Sequence, residues 1–223
     1  MLQHIAHNLW VEARKLRFWG LETGTRMSVV RLSRGGLFVH SPVALTHETK
    51  QTVDGLGPVH AIVAPSRMHH LYVGEWMAAY PAARTFCCPT LERKRSDIPW
   101  HGVLSDDPEP EWRGEIDQVF FGARSLENEV LFCHRNSRTL LCADAVFNLA
   151  NHPSPLTRVV SVLMGNREPG ATWLERVLIR DRRAAREQID RMLAWDFDRI
   201  VLAHGDIIET GGREVLRKAY AWL

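Results

Sequence analysis

Short runs in which apolar residues alternate with polar ones, broken by glycine and proline, fill the first third of the chain and predict strands more often than helices. Residues 1 to 19 set Ile5, Leu9, Trp10, Val11, Leu16 and Phe18 among polar partners, which predicts one or two short edge strands. Met27 to Leu32 and Gly36 to Ser41 are β-rich runs separated by Ser33-Arg34-Gly35-Gly36, whose glycines suit the turn of a hairpin. Thr46, with Glu48 in the first turn, predicts a helix that stops between Gly55 and Pro58. His60-Ala61-Ile62-Val63-Ala64 lies between Pro58 and Pro65 and predicts a buried strand. A loop from Ser66 to Tyr72 follows, then a helix carrying Trp76, Met77 and Tyr80, then a strand from Arg84 to Pro89.

The second half begins with residues 97 to 115, rich in proline and acid, which predict a surface loop. Asp117 to Phe121, Glu129 to His134 and Thr139 to Phe147 predict three strands in an antiparallel meander. Residues 149 to 170 predict loop and helix ending at Pro169 and Gly170. Asp181 to Trp195 has the clearest helical period. Ala185, Ile189, Met192 and Leu193 share one face, and Arg183 with Glu187 and Arg186 with Asp190 pair on the other. Arg199 to Ala203 is the last strand and Gly211 to Leu223 the closing helix. Strands, helices, strands and helices in that order predict an α/β fold of two packed sheets with helices outside, as one domain over residues 1 to 223.

Composition changes this picture little. A chain of 223 residues, 45% of them hydrophobic, can bury one sizeable core and is short for two. Its 28 basic and 26 acidic residues nearly cancel, so bulk charge gives no reason to expect a nucleic-acid or membrane partner. Cys87, Cys88, Cys133 and Cys142 show no CxxC spacing and are expected to be reduced core residues. With no signal-like segment at the N-terminus and no apolar run approaching the ~18 residues of a membrane span, a cytoplasmic protein is expected.

Candidate chemistry lies where predicted strands end. His69, with His70 beside it, follows the strand closing at Ala64; Asp144 lies near the end of the strand begun at Thr139; His204 follows Ala203. Imidazole and carboxylate ligands suit Zn²⁺, Fe or Mn. Their wide spacing alone does not separate ligands from buried polar side chains. His134 is expected to be an exposed turn residue, and His152, before Pro153, a minor candidate in the loop beyond Asp144.

These residues in this order resemble the metallo-β-lactamase superfamily, in which a strand leads to a His-x-His-x-Asp-His loop, a later strand ends in a bridging aspartate and a last strand ends in His-Gly. Leu140 to Phe147 is similar to the family's "Gly-Asp-x-x-Phe" strand, with Ala143 for the glycine, and Leu202-Ala203-His204-Gly205 to its terminal His-Gly. The resemblance implies a four-layer αββα sandwich. It also points to a divergent branch, a domain of unknown function, with an eroded histidine motif. Placing Gly74-Glu75 on the family's two small residues puts Arg67 at the first histidine, His69 at the second, Leu71 at the aspartate and Tyr72 at the third histidine. Gly122-Ala123-Arg124-Ser125 falls on the family's Gly-His-Thr, so Arg124 replaces another ligand.

Two readings follow. In one, His69 or His70 with Asp144 and His204 holds a single divalent ion, Zn or else Fe or Mn, in a hydrolase, and Arg67 and Arg124 act beside Asp144 on an anionic group. In the other no metal is bound. Guanidinium groups cannot ligate, so Arg67 or Arg124 pairs with Asp144, and the pocket of a non-catalytic relative takes a small anionic molecule.

Overall fold

The computed structural model describes residues 1–123 and 128–223, so Arg124 lies outside the described residues. The chain opens with β1 (Gln3–Ala6) and β2 (Leu9–Arg14), followed by a small ribbon, β3 (Arg17–Phe18) and β4 (Leu21–Glu22), and by the hairpin β5 (Thr25–Arg31) and β6 (Leu37–His40). Helix α1 (His47–Leu56) leads to β7 (Val59–Ala64), α2 (Val73–Ala79), β8 (Arg84–Cys87), the single turn α3 (Leu91–Lys94) and β9 (Gly102–Val103). The second half holds the meander β10 (Ile116–Phe121), β11 (Glu129–His134) and β12 (Thr139–Leu141). Then come α4 (Pro155–Leu163), the turn α5 (Glu175–Leu178), α6 (Arg182–Leu193), β13 (Arg199–Val201) and α7 (Gly212–Ala219).

These strands form two main sheets. The first runs β1-β2-β5-β6-β7-β8-β9, and the second runs β10-β11-β12-β13. The first is antiparallel from β1 to β6 and parallel from β6 to β9; in the second, β13 joins the meander parallel to β12. Of the parallel strands, β6 and β7 are mostly apolar and mostly buried, because both of their faces are covered. Aromatic rings stitch the sheets face to face: Phe38 of β6 meets Phe132 of β11 at 5.3 Å, and Trp112 packs on Phe38 and Phe86 at 5.0 Å each. Helix α2 covers the outer face of the first sheet and anchors there through Trp76, whose indole donates to the Val43 carbonyl at 2.7 Å. Helices α6 and α7 cover the second sheet with Ala185, Ile189, Met192 and Leu216. The result is the expected four-layer αββα sandwich.

Three local expectations are corrected. Residues 97 to 115 are not all surface: β9 adds an edge strand, and Trp112 is fully buried, its indole donating to Gln118 Oε1 at 2.9 Å. The strand begun at Thr139 ends at Leu141 instead of Phe147. Beyond Cys142 the amides of Ala143 and Asp144 turn to the Glu129 carboxylate, so the chain leaves the ladder. His134 is buried, not an exposed turn residue, because the tight return to β12 folds over it. The four cysteines are buried thiols outside any disulfide among the described residues, and no described helix is long and apolar enough to cross a membrane.

Candidate metal centre

The strand ends of both sheets meet at one edge of the sandwich. Pro65 and Ser66 continue β7 beyond the first sheet and reach the second: Val130 donates its amide to the Pro65 carbonyl at 2.8 Å, and Ser66 bridges to Glu129. Ser66 then organises the histidine loop. Its Oγ accepts the amides of Met68 and His69, at 3.2 Å each, and donates to Asp144 Oδ2 at 3.3 Å. One small hydroxyl thus fixes the loop from the first sheet against the acid from the second.

His69, Asp144 and His204 converge. One ligand atom from each lies within 4.8 Å of the others, and all three residues are buried. His69 Nε2 is 3.4 Å and His204 Nε2 3.2 Å from the same oxygen, Asp144 Oδ1. The two imidazoles lie edge to face with centroids 5.2 Å apart, and Phe147 stacks on His204 at 5.5 Å. Each far nitrogen is taken: His69 Nδ1 meets Ser41 Oγ at 3.0 Å, and His204 Nδ1 donates to the Gly24 carbonyl at 2.9 Å. A carbonyl can only accept, so that bond sets the His204 tautomer and leaves its Nε2 lone pair facing Asp144.

A lone pair and a carboxylate oxygen 3.2 Å apart repel unless a cation or a proton lies between them. This donor set therefore fits a metal ion. Without one, the site recruits a proton. Burial opposes the charged form of both groups, yet the two imidazoles hold the Asp144 carboxyl well below the usual carboxylate range, and Asp144 raises His204 despite burial.

Several supports escaped the sequence reading. Glu129, fully buried at the start of β11, accepts the amides of Ala143 and of Asp144, the latter at 2.9 Å, and so aims the aspartate. Arg26 of β5 donates to the carbonyls of Leu202 and Gly205 and clasps the turn that carries His204. Gly205 has φ +101°, and a Cβ there would lie 1.8 Å from the Asn148 carbonyl oxygen, so this turn admits only glycine. An acid opening an apolar strand was the visible signal for Glu129. Nothing in the local sequence marks Gly24 or Arg26, about 180 residues from their partner.

The other candidates lie elsewhere. His70 turns its Nδ1 to Arg95 at 3.0 Å and is outside the converging set; burial and the charges of Lys94 and Arg95 lower its pKa to about 4. Arg67 is half-buried, with its charge acting on the Cys88 thiol, and Asp144 takes its ion pairs from the two histidines. The cluster opens onto a cavity of about 620 Å³ lined also by Ser41, Tyr72, Phe147 and the exposed Lys94; no described arginine lines it.

Two facing sheets between helices, with His, Asp and His at the strand ends, define the metallo-β-lactamase fold. Solved structures bear this out. The DIM-1 metallo-β-lactamase superposes with a TM-score of 0.68 at 14% identity, covering 100% of this chain and 97% of that one. The FIM-1 enzyme from Pseudomonas aeruginosa, in its mono-zinc form, gives 0.64 at 11%, covering 100% and 95%. The metal-soaked Flv1 flavodiiron core from Synechocystis sp. PCC6803 gives 0.70 at 12%, covering 100% of this chain but 60% of that one. Comparison with curated proteins by sequence gives no match. The profile of DUF4336, a domain of unknown function, matches residues 7–175, and the chain belongs to that family.

Proposed function

We propose that the chain is a metallo-hydrolase holding one divalent ion, Zn²⁺ or else Fe or Mn, through His69 Nε2, His204 Nε2 and Asp144 Oδ1. The observation that carries this reading is the orientation of the donors. Both histidines direct Nε2 to one aspartate oxygen while their other nitrogens are held by Ser41 and Gly24. Among the described residues a second ion has no comparable set, since Leu71 and Tyr72 stand where the metallo-β-lactamase motif carries ligands, and FIM-1 is a protein of this fold described with one zinc.

An ion bound there supplies a water of pKa near ~7 and a Lewis acid for a carbonyl or phosphoryl oxygen. The chain's own residues do the rest. Asp144 supplies the negative charge that three ligands need, and Ser66 holds its other oxygen still. Gly24 fixes the His204 tautomer. The three donors are themselves buried, so their charges act on one another in a lower dielectric than that of bulk water. The reaction this suits is hydrolysis of an ester, thioester, lactone or phosphoester.

Elemental analysis of protein purified without added metal is expected to give about one ion per chain. His204→Ala and Asp144→Asn should lose it, and hydrolysis of a panel of such esters should disappear with the metal on chelation. Hydrolysis that survives both chelation and His204→Ala would refute the proposal.

A further inference from the structure

Behind the polar floor the cavity changes character. Phe18 and Leu21 of the β3–β4 ribbon, Phe147, Val160 of α4, Met164 just beyond its last turn, and Leu174 wall its 620 Å³. Besides the cluster and His70, the ionisable side chains of the described lining are Tyr72, Lys94 and Glu175. That volume is ample for a ligand of drug size. A charged or strongly polar body entering it would lose its hydration with little to replace it, whereas each buried methylene gains transfer free energy. The apolar wall therefore selects for a hydrocarbon chain.

We propose that the substrate is a neutral acyl ester whose long apolar acyl chain fills this cavity while its carbonyl carbon lies at the His69, Asp144 and His204 cluster; this rests on the hydrolase reading above. Water adds to the carbonyl carbon, the bond from that carbon to the alcohol oxygen breaks, and the products are a fatty acid and an alcohol. This substrate differs from the small anionic molecule expected from Arg67 and Arg124.

Helix α4 provides an internal control, because it is apolar on two faces. Val160 and Met164 face the cavity, while Val159 is 58% exposed and Leu163 73% exposed. Greasy adsorption would use the outer face; the proposed subsite uses the inner one.

The test is calorimetric titration of the full chain, stripped of metal with EDTA, with hexanamide, octanamide and decanamide, neutral acyl compounds that cannot act as ester substrates. Affinity should rise about fourfold per added methylene. Val160→Asp should weaken octanamide tenfold or more and Val159→Asp should leave it unchanged. Val160→Phe, which fills the cavity without burying a charge, should shorten the chain length that binds best. Affinity independent of chain length, or equal effects of the two aspartate substitutions, overturns the proposal. Because no metal is present, failure here leaves the hydrolase reading standing, and failure of metal loading leaves this series intact.

Discussion

Strand β11 carries an ionisable side chain at each end, and the two ends of the sandwich use theirs in opposite ways. At the site end Glu129 aims Asp144, and His69 stands opposite with Ser41 on its Nδ1. At the far end His134 is buried with the same kind of support, Ser137 Oγ at 2.7 Å from Nδ1. The difference lies at the second nitrogen. His69 Nε2 meets the Asp144 carboxylate, whereas His134 Nε2 has no hydrogen-bond partner among the described residues. A buried, serine-held histidine is thus not by itself a candidate ligand; on the reading proposed above it becomes one when an acid from another segment is brought to its lone pair.

The acid's position is where this contrast breaks most severely. Glu129→Ala removes the acceptor of two buried amides, at about 1–3 kcal/mol each, so a loss of about 2–6 kcal/mol is expected in urea unfolding. Metal content should fall with it, because Asp144 is no longer held. Glu129→Gln keeps one acceptor oxygen and should recover part of both. Wild-type stability and metal content in Glu129→Ala would show that the far end and the site end do not differ as described.

The serines sharpen the comparison at smaller magnitude. Ser41→Ala should weaken metal binding at least tenfold while costing little stability, since it frees His69 to rotate. Ser137→Ala should cost about 1 kcal/mol and leave metal affinity unchanged. Competition with a chromogenic chelator, read beside urea midpoints, separates the two. Equal effects on metal affinity would remove the distinction between ligand and structural histidine.

How much of this was legible follows from where each support sits in the chain. His69 with its neighbour His70, Asp144 and His204 could be read as candidates because each lies near the end of a strand that an apolar run announces, but order alone did not separate His69 from His70 or a ligand from a buried polar side chain. Their fixing could not be read. Gly24 and Arg26 look like any turn glycine and any strand arginine until β5 is laid beside the His204 turn. The cavity wall was hidden for another reason. It is made by a two-residue ribbon at positions 17 to 22 and by α4 and α5, segments too short or too uniformly apolar for periodicity to say which face turns inward. Arg67 shows a different limit: alignment on a motif assigns a position along the chain, and His69 from the same loop lines the cavity whereas Arg67 is not among its described lining residues.

The smallest effect concerns acid, and it distinguishes the same two classes of histidine. Burial is the leading cause that lowers His40 to about 3 and His70 and His134 to about 4, whereas Asp144 raises His204 in spite of burial. Unfolded histidine titrates near ~6.5. Between that value and about pH 4 the unfolded chain binds protons that the three lowered histidines refuse, so their contribution to stability falls as pH falls. His204 in the metal-free protein has the opposite sign: its contribution is complete below ~6.5 and is lost as pH rises through its raised value. Urea midpoints of the metal-free chain measured from pH 7 to 4.5 should therefore decline toward acid. His134→Gln should make that decline shallower with no change in metal affinity, and a slope parallel to wild type would mean that His134 is not held neutral.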